Sequence, residues 1–118
     1  MKSARKVIEK LACLDPRVAA LLVEHDRDNH ETLPHVFMGD VARFAGVLAR
    51  NGRADFGALD ALLAEIELAV TSGIADVEEL VVVSFLENLH QTGDAYEAVV
   101  QRLGPECRRA LVVVERDR

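Results

Sequence analysis

The chain has 118 residues, enough to enclose a hydrophobic core without disulfide or metal staples, and reads as one domain, 1–118. Half of its residues are apolar, 4% are aromatic and none is Trp, a balance that suits packed helices better than strands paired through aromatic rings. A formal charge of −6 argues against a surface that grips nucleic acid, which needs a basic patch.

Ser3 can cap a first helix to about Leu14, with Val7, Ile8, Leu11 and Leu14 on one side and Lys2, Arg5, Lys6 and Lys10 on the other. Asp15-Pro16 reads as the cap and first-turn proline of a short second helix ending near Glu24, with Val18, Leu21 and Leu22 inward. His25 to Thr32 is polar and without periodicity, and is expected to be a loop. Leu33-Pro34 opens a third helix that Asn51-Gly52 stops, with Phe37, Val41, Phe44 and Leu48 as its core stripe. Asp55 is expected to cap a fourth, ending at Ser72-Gly73 and carrying Phe56, Leu59, Leu62, Leu63, Ile66 and Val70 inward.

Asp76 to His90 is the most apolar helical stretch and the expected centre of the fold. Asp76 and Glu79 form a capping-box signature, and Val77, Val81, Phe85 and Leu89 recur every fourth residue. Its VVVSF run is rich in β-branched residues, so a buried strand is the competing reading. Gln91-Thr92-Gly93 ends it, Asp94 is expected to cap a sixth helix to Leu103, and Gly104-Pro105 precedes a last one carrying Cys107, Ala110, Leu111 and Val114. Short connections favour antiparallel neighbours. The fold class is therefore all-α, a compact helical bundle of about six or seven short helices.

Charge is the most informative feature outside the core. No Lys or Arg stands between Arg53 and Arg102, yet ten carboxylates do, from Asp55 to Glu97; Glu24, Asp26, Asp28 and Glu31 form a second acidic group, relieved only by Arg27. Such a distribution speeds encounter with a basic partner, although several of these residues are placed to serve as helix caps.

Nothing points to catalysis or to a bound cofactor. His25, His30, His35 and His90 match no metal-ligand spacing, and no metal is expected. Ser84 lies within a helix, where its hydroxyl can bond the carbonyl one turn back. Cys13 and Cys107 read as packed, reduced thiols, with Arg108 and Arg109 near enough to lower the pKa of the second. No apolar run reaches spanning length and Met1-Lys2-Ser3 leads straight into an amphipathic segment. A cytoplasmic, non-enzymatic protein with no membrane contact is expected.

Two stretches together, Glu31-Thr32-Leu33-Pro34-His35-Val36 with Gly39-Asp40, and Glu79 through Leu89, give the chain a likeness to known proteins. Over roughly Glu31 to Arg109 it resembles a family of small helical bacterial domains associated with immunity proteins encoded beside polymorphic toxins. The resemblance implies a protein that binds and neutralises a cognate toxin, and brings no catalytic residues with it. An acidic surface facing a basic toxin makes Glu31, Asp40, Glu78, Glu79 and Glu87 the partner-binding candidates, as monomer or homodimer. The alternative is a self-associating structural or regulatory module with a seam along Leu103–Val114.

Overall fold

The computed structural model describes residues 2–117, and all of its regular elements are helical. The all-α bundle of seven α-helices is the expected architecture. Helix α1 (Lys2–Leu14) buries Ala4, Ile8 and Leu11 and leaves Arg5, Lys6, Glu9 and Lys10 to solvent. Ser3 lies inside its first turn rather than ahead of it. Asp15 caps α2 as its sequence suggests: Oδ1 accepts the Arg17 N–H at 2.8 Å, and Pro16 occupies the first turn.

Helix α2 (Pro16–Asn29) runs five residues past its expected end, and most of the HDRDNHET segment is helical rather than a loop. The cause is one position. His25 continues the inward side of Val18, Leu21 and Leu22, and is buried. His30, at φ 62°, then turns the chain in the left-handed region.

Helix α3 (Pro34–Arg50) has its expected bounds and shares the central position with the stretch predicted to be the core rod. It touches α1, α2 and most of the elements that follow it. Small residues allow this: Gly39, Ala42, Ala45, Gly46 and Ala49 are all buried. A Cβ on Gly46 would come within 2.7 Å of Thr92 Cγ2, so the 3-10 turn after the core rod lies directly on the α3 backbone. Phe44, expected in the core stripe, is only half-buried and has the Arg17 guanidinium 5.4 Å from its ring centre.

After a 3-10 turn (Gly52–Ala54), α4 (Phe56–Val70) buries Leu59, Leu62, Leu63, Ile66 and Ala69. Asp55 is its N-cap residue by position, but its side chain makes no cap bond. It takes Nη1 and Nη2 of Arg17, each at 3.0 Å, and so ties α2 to α4.

The predicted core helix is helical, which excludes the strand reading, but it is not one uniform α-helix. Helix α5 (Ala75–Glu79) passes into a π-helical segment (Leu80–Leu86), closed by a bond from the Glu87 N–H to the Val82 carbonyl at 3.3 Å. The capping box does not form. Ile74 is the N-cap, Asp76 lies inside the first turn, and Glu78 rather than Glu79 reaches back, accepting the Gly73 N–H at 2.8 Å. The wide turn lets Leu80, Val81, Ser84, Phe85 and Leu86 all point inward, leaving Val83 exposed.

A second 3-10 stretch (Leu89–Ala95) kinks at Gly93 (φ 61°, ψ −124°) before α6 (Tyr96–Arg102). Asp94 is not the cap of α6; its carboxylate meets Arg50 Nε at 3.1 Å. Helix α7 (Pro105–Arg116) lies on α4 and the π segment with Cys107, Leu111 and Val114 buried.

Candidate partner-binding site

The corner where α2 turns into α3 has the richest polar chemistry outside the helix backbones. Buried His25 fastens it: Nε2 accepts the Leu33 N–H at 2.9 Å, satisfying an amide at the entrance to α3 that no side-chain cap serves. This fixes Nε2 as the unprotonated nitrogen. Nδ1 lies 3.3 Å from Asn29 Nδ2 and 3.9 Å from the Asp40 carboxylate, and the ring rests against Phe37. Asn29 Nδ2 also bonds the His25 carbonyl at 2.9 Å, while Thr32 Oγ1 donates to Asp26 at 2.6 Å.

A chain of side-chain bonds then joins α3 to the π segment. His35 Nδ1 meets Ser84 Oγ, so the Ser84 hydroxyl engages a neighbouring helix as well as lying within its own. Asn88 Nδ2 donates to the Ser84 carbonyl at 2.6 Å, and Gln91 Nε2 to Asn88 Oδ1 at 2.9 Å. Arg43 Nη1 donates to Gln91 Oε1 at 2.7 Å, and Arg43 Nη2 pairs with Asp40 one turn back. Ser84 is buried although polar, which holds only because these partners exist. The two sequence stretches that carry the resemblance are thus in contact, through His35 with Ser84 and through Gly39 backing onto Asn88.

Beside this relay a cleft of about 400 Å³ opens between α2 and α3. Leu21, Val36, Phe44 and Val47 supply apolar wall, and Glu24, Asp28 and Asp40 with Arg43 supply charge. Val36 and Val47 are 53% and 44% exposed, so the cleft wall presents apolar surface to solvent.

Of the five predicted contact carboxylates, only Asp40 lines this cleft. Glu31 is exposed on the α2–α3 connection and Glu87 is exposed just after the π segment. Glu79 is exposed at the end of α5, whereas Glu78 is half-buried and bonded to Gly73. Helix α5 packs on α1 and α4, so these residues do not converge on one cavity.

Several carboxylates in the long stretch without Lys or Arg already have cations from elsewhere in the chain. Arg102 Nε and Nη2 hold Asp60 at 2.7 and 3.0 Å, with the guanidinium 4.0 Å above the Phe56 ring. Arg17 holds Asp55, Arg50 meets Asp94, and Lys10 lies 3.9 Å from Glu65. The hydrogen bonds from Arg17 hold the Asp15 and Asp55 carboxyls below the usual range, and those from Arg102 do the same for Asp60.

Residues 8–116 match a family described as a domain of unknown function, DUF7674. The chain belongs to that family. No curated protein and no solved structure matches it.

Elsewhere in this DUF7674 domain, Glu67 has a structural task. Its two oxygens accept the N–H groups of Cys107 and Glu106 at 3.0 and 2.9 Å, capping α7 from a helix distant in sequence. Partial burial pushes the Glu67 carboxyl up, but the two amide bonds outweigh it and the net shift is downward. The same geometry corrects the expectation for Cys107: burial first, and the Glu67 carboxylate second, push its thiol up to about 12 despite Arg108 and Arg109. Cys13, expected in the core, is exposed on α1. Among the described residues no group of three or more His, Cys, Asp or Glu is arranged to hold a metal ion, and no helix is long and apolar enough to cross a membrane. Leu103, Leu111 and Val114 of the predicted self-association seam are buried in the core, so they are not available for it; Val112 and Val113 face solvent.

Sequence reasoning missed His25, Asn29 and Arg43 as organisers of the corner. A signal was present: Val18, Leu21 or Leu22, His25 and Asn29 keep helical spacing straight through the polar segment.

Proposed function

We propose that this protein is a non-enzymatic, immunity-type binding protein that neutralises a cognate toxin by covering its active or substrate-binding face. The observation that supports this reading most is the meeting of the two resemblance-bearing stretches at the α2–α3 corner, beside an open cleft with valine walls and a carboxylate rim. Exposed apolar side chains inside a polar rim are the anatomy of a protein interface. Glu24, Asp28, Glu31 and Asp40 would steer and pair with Lys or Arg of the toxin, while Val36 and Val47 anchor the contact. Glu79 and Glu87 contribute at longer range, by attraction alone.

The test is coexpression with the toxic C-terminal segment encoded by the adjoining gene. Protection of the cells and recovery of a complex are expected; neither protection nor a complex defeats the reading.

One observation favours self-association as a second reading. Val112 lies 54% exposed on α7 beside a groove of about 510 Å³ that Val100 also lines. Light scattering across a concentration series decides it, since a mass that stays monomeric removes this reading and leaves the first intact.

A further inference from the structure

We infer that the α2–α3 cleft is a receptor for one basic side chain of a protein partner, an arginine in preference to a lysine. This rests on the binding role proposed above and gives it a location and a chemistry. The cleft carries three carboxylates, Glu24, Asp28 and Asp40, against one guanidinium, Arg43, so its lining has a formal charge of −2 with His25 neutral. An entering cation is therefore attracted, and its aliphatic stem has Leu21 and Val47 to lie against.

Three features of the cleft suit a guanidinium in particular. Its carboxylates can each grip a guanidinium at two points, as Asp60 grips Arg102 elsewhere in the fold, which an ammonium cannot match. Asp40 pairs with Arg43 one helical turn away and has His25 Nδ1 at 3.9 Å; the Arg43 pair is partly exposed, an interaction that an incoming cation can replace at little cost. Arg43 keeps a partner when that happens, because Nη1 is bonded to Gln91 Oε1 at 2.7 Å. No charge is left stranded by the exchange. Beneath the cleft, the bond from Leu33 N–H to His25 Nε2 holds the α2–α3 connection in place, so the receptor is formed before a partner arrives.

The direct test titrates the isotope-labelled full chain with N-acetyl-argininamide, N-acetyl-lysinamide and the uncharged N-acetyl-norleucinamide, following backbone amide signals by NMR. Saturable shifts confined to Val36, Asp40, Val47 and their neighbours are expected with the arginine probe, at a dissociation constant on the order of millimolar. The lysine probe should bind a few times more weakly and norleucinamide should give no saturable shift. Val47→Lys, at an exposed wall position, puts a resident cation in the cleft and should abolish the response without unfolding the protein. Shifts that are absent, spread over the whole surface, equal for norleucinamide, or unchanged in Val47→Lys overturn the inference. Lysine binding as tight as arginine overturns the preference for the planar cation. If the neighbouring toxin binds wild type and Val47→Lys equally, the receptor assignment falls and the immunity reading stands. If the arginine probe binds as expected but the toxin does not, the immunity reading falls instead.

Discussion

The α2–α3 corner and the α4–α7 side of the molecule use carboxylates in opposite ways. On the α4 side they are spoken for: Asp60 sits in a two-point grip from Arg102, Asp55 in one from Arg17, and Glu67 closes the end of α7. At the corner, Glu24, Asp28 and Glu31 are exposed on the surface, and Asp40 pairs with its neighbour Arg43, with His25 Nδ1 3.9 Å away. A run of acidic residues in the sequence is therefore not one surface. Part of it holds helices together, and part faces solvent around a cleft.

Substitutions can sharpen this contrast, beginning with a reference for pure core loss. Phe85→Ala removes a fully buried ring from the π segment and should cost about 3–5 kcal/mol in urea unfolding, with partner binding lost only as far as the fold is lost. Glu67→Ala should cost about 1–2 kcal/mol, because two amides at the start of α7 lose their acceptor. Calorimetry should show its lower melting point, while binding to the corner is unaffected. Asp60→Ala should cost under about 1 kcal/mol, since the pair with Arg102 is partly exposed. Asp28→Asn should change stability by no more than about 0.5 kcal/mol and yet weaken capture of a basic partner in a pull-down or titration. If Asp60→Ala disturbs binding more than Asp28→Asn does, the division between the two regions is wrong.

Acid should reveal the structural carboxylates. Asp15, Asp55, Asp60 and Glu67 all titrate lower in the folded protein than free carboxyls do. The unfolded chain then binds more protons in that range. Their contribution is fully present above the unfolded values near pH 4–4.5 and is lost as pH falls through the lower folded ones. The urea midpoint should drop as pH falls below about 4.5, and Glu67→Gln should flatten part of that drop.

Much of the architecture was legible because apolar spacing is a repeated signal. The bounds of α3 and the inward faces of α4 and α7 follow from residues such as Val41, Leu48, Ile66 and Leu111, which agree with one another along each helix. Caps were less legible, since an acidic residue at a helix start has other partners open to it in three dimensions. Asp55 and Asp94 turned to arginines from other elements, and Asp76 yielded to Glu78. The π segment left no mark that spacing could show, because Leu80 to Leu86 is apolar on nearly every side and fits either winding. Of the five carboxylates named as contact candidates, only Asp40 falls on the cleft. The cleft itself was not legible, because His25 was taken for a polar loop residue when its ring nitrogen serves a distant backbone amide.

The most direct measurement is survival of cells that coexpress the product of the adjoining gene, which the proposed role requires to be a toxin, with wild type, Val47→Lys or Asp60→Ala. Wild type and Asp60→Ala should both protect, and Val47→Lys should fail although it accumulates as folded protein. Protection by Val47→Lys equal to wild type would contradict the corner as the contact surface, and no protection by any of the three would contradict the immunity role itself.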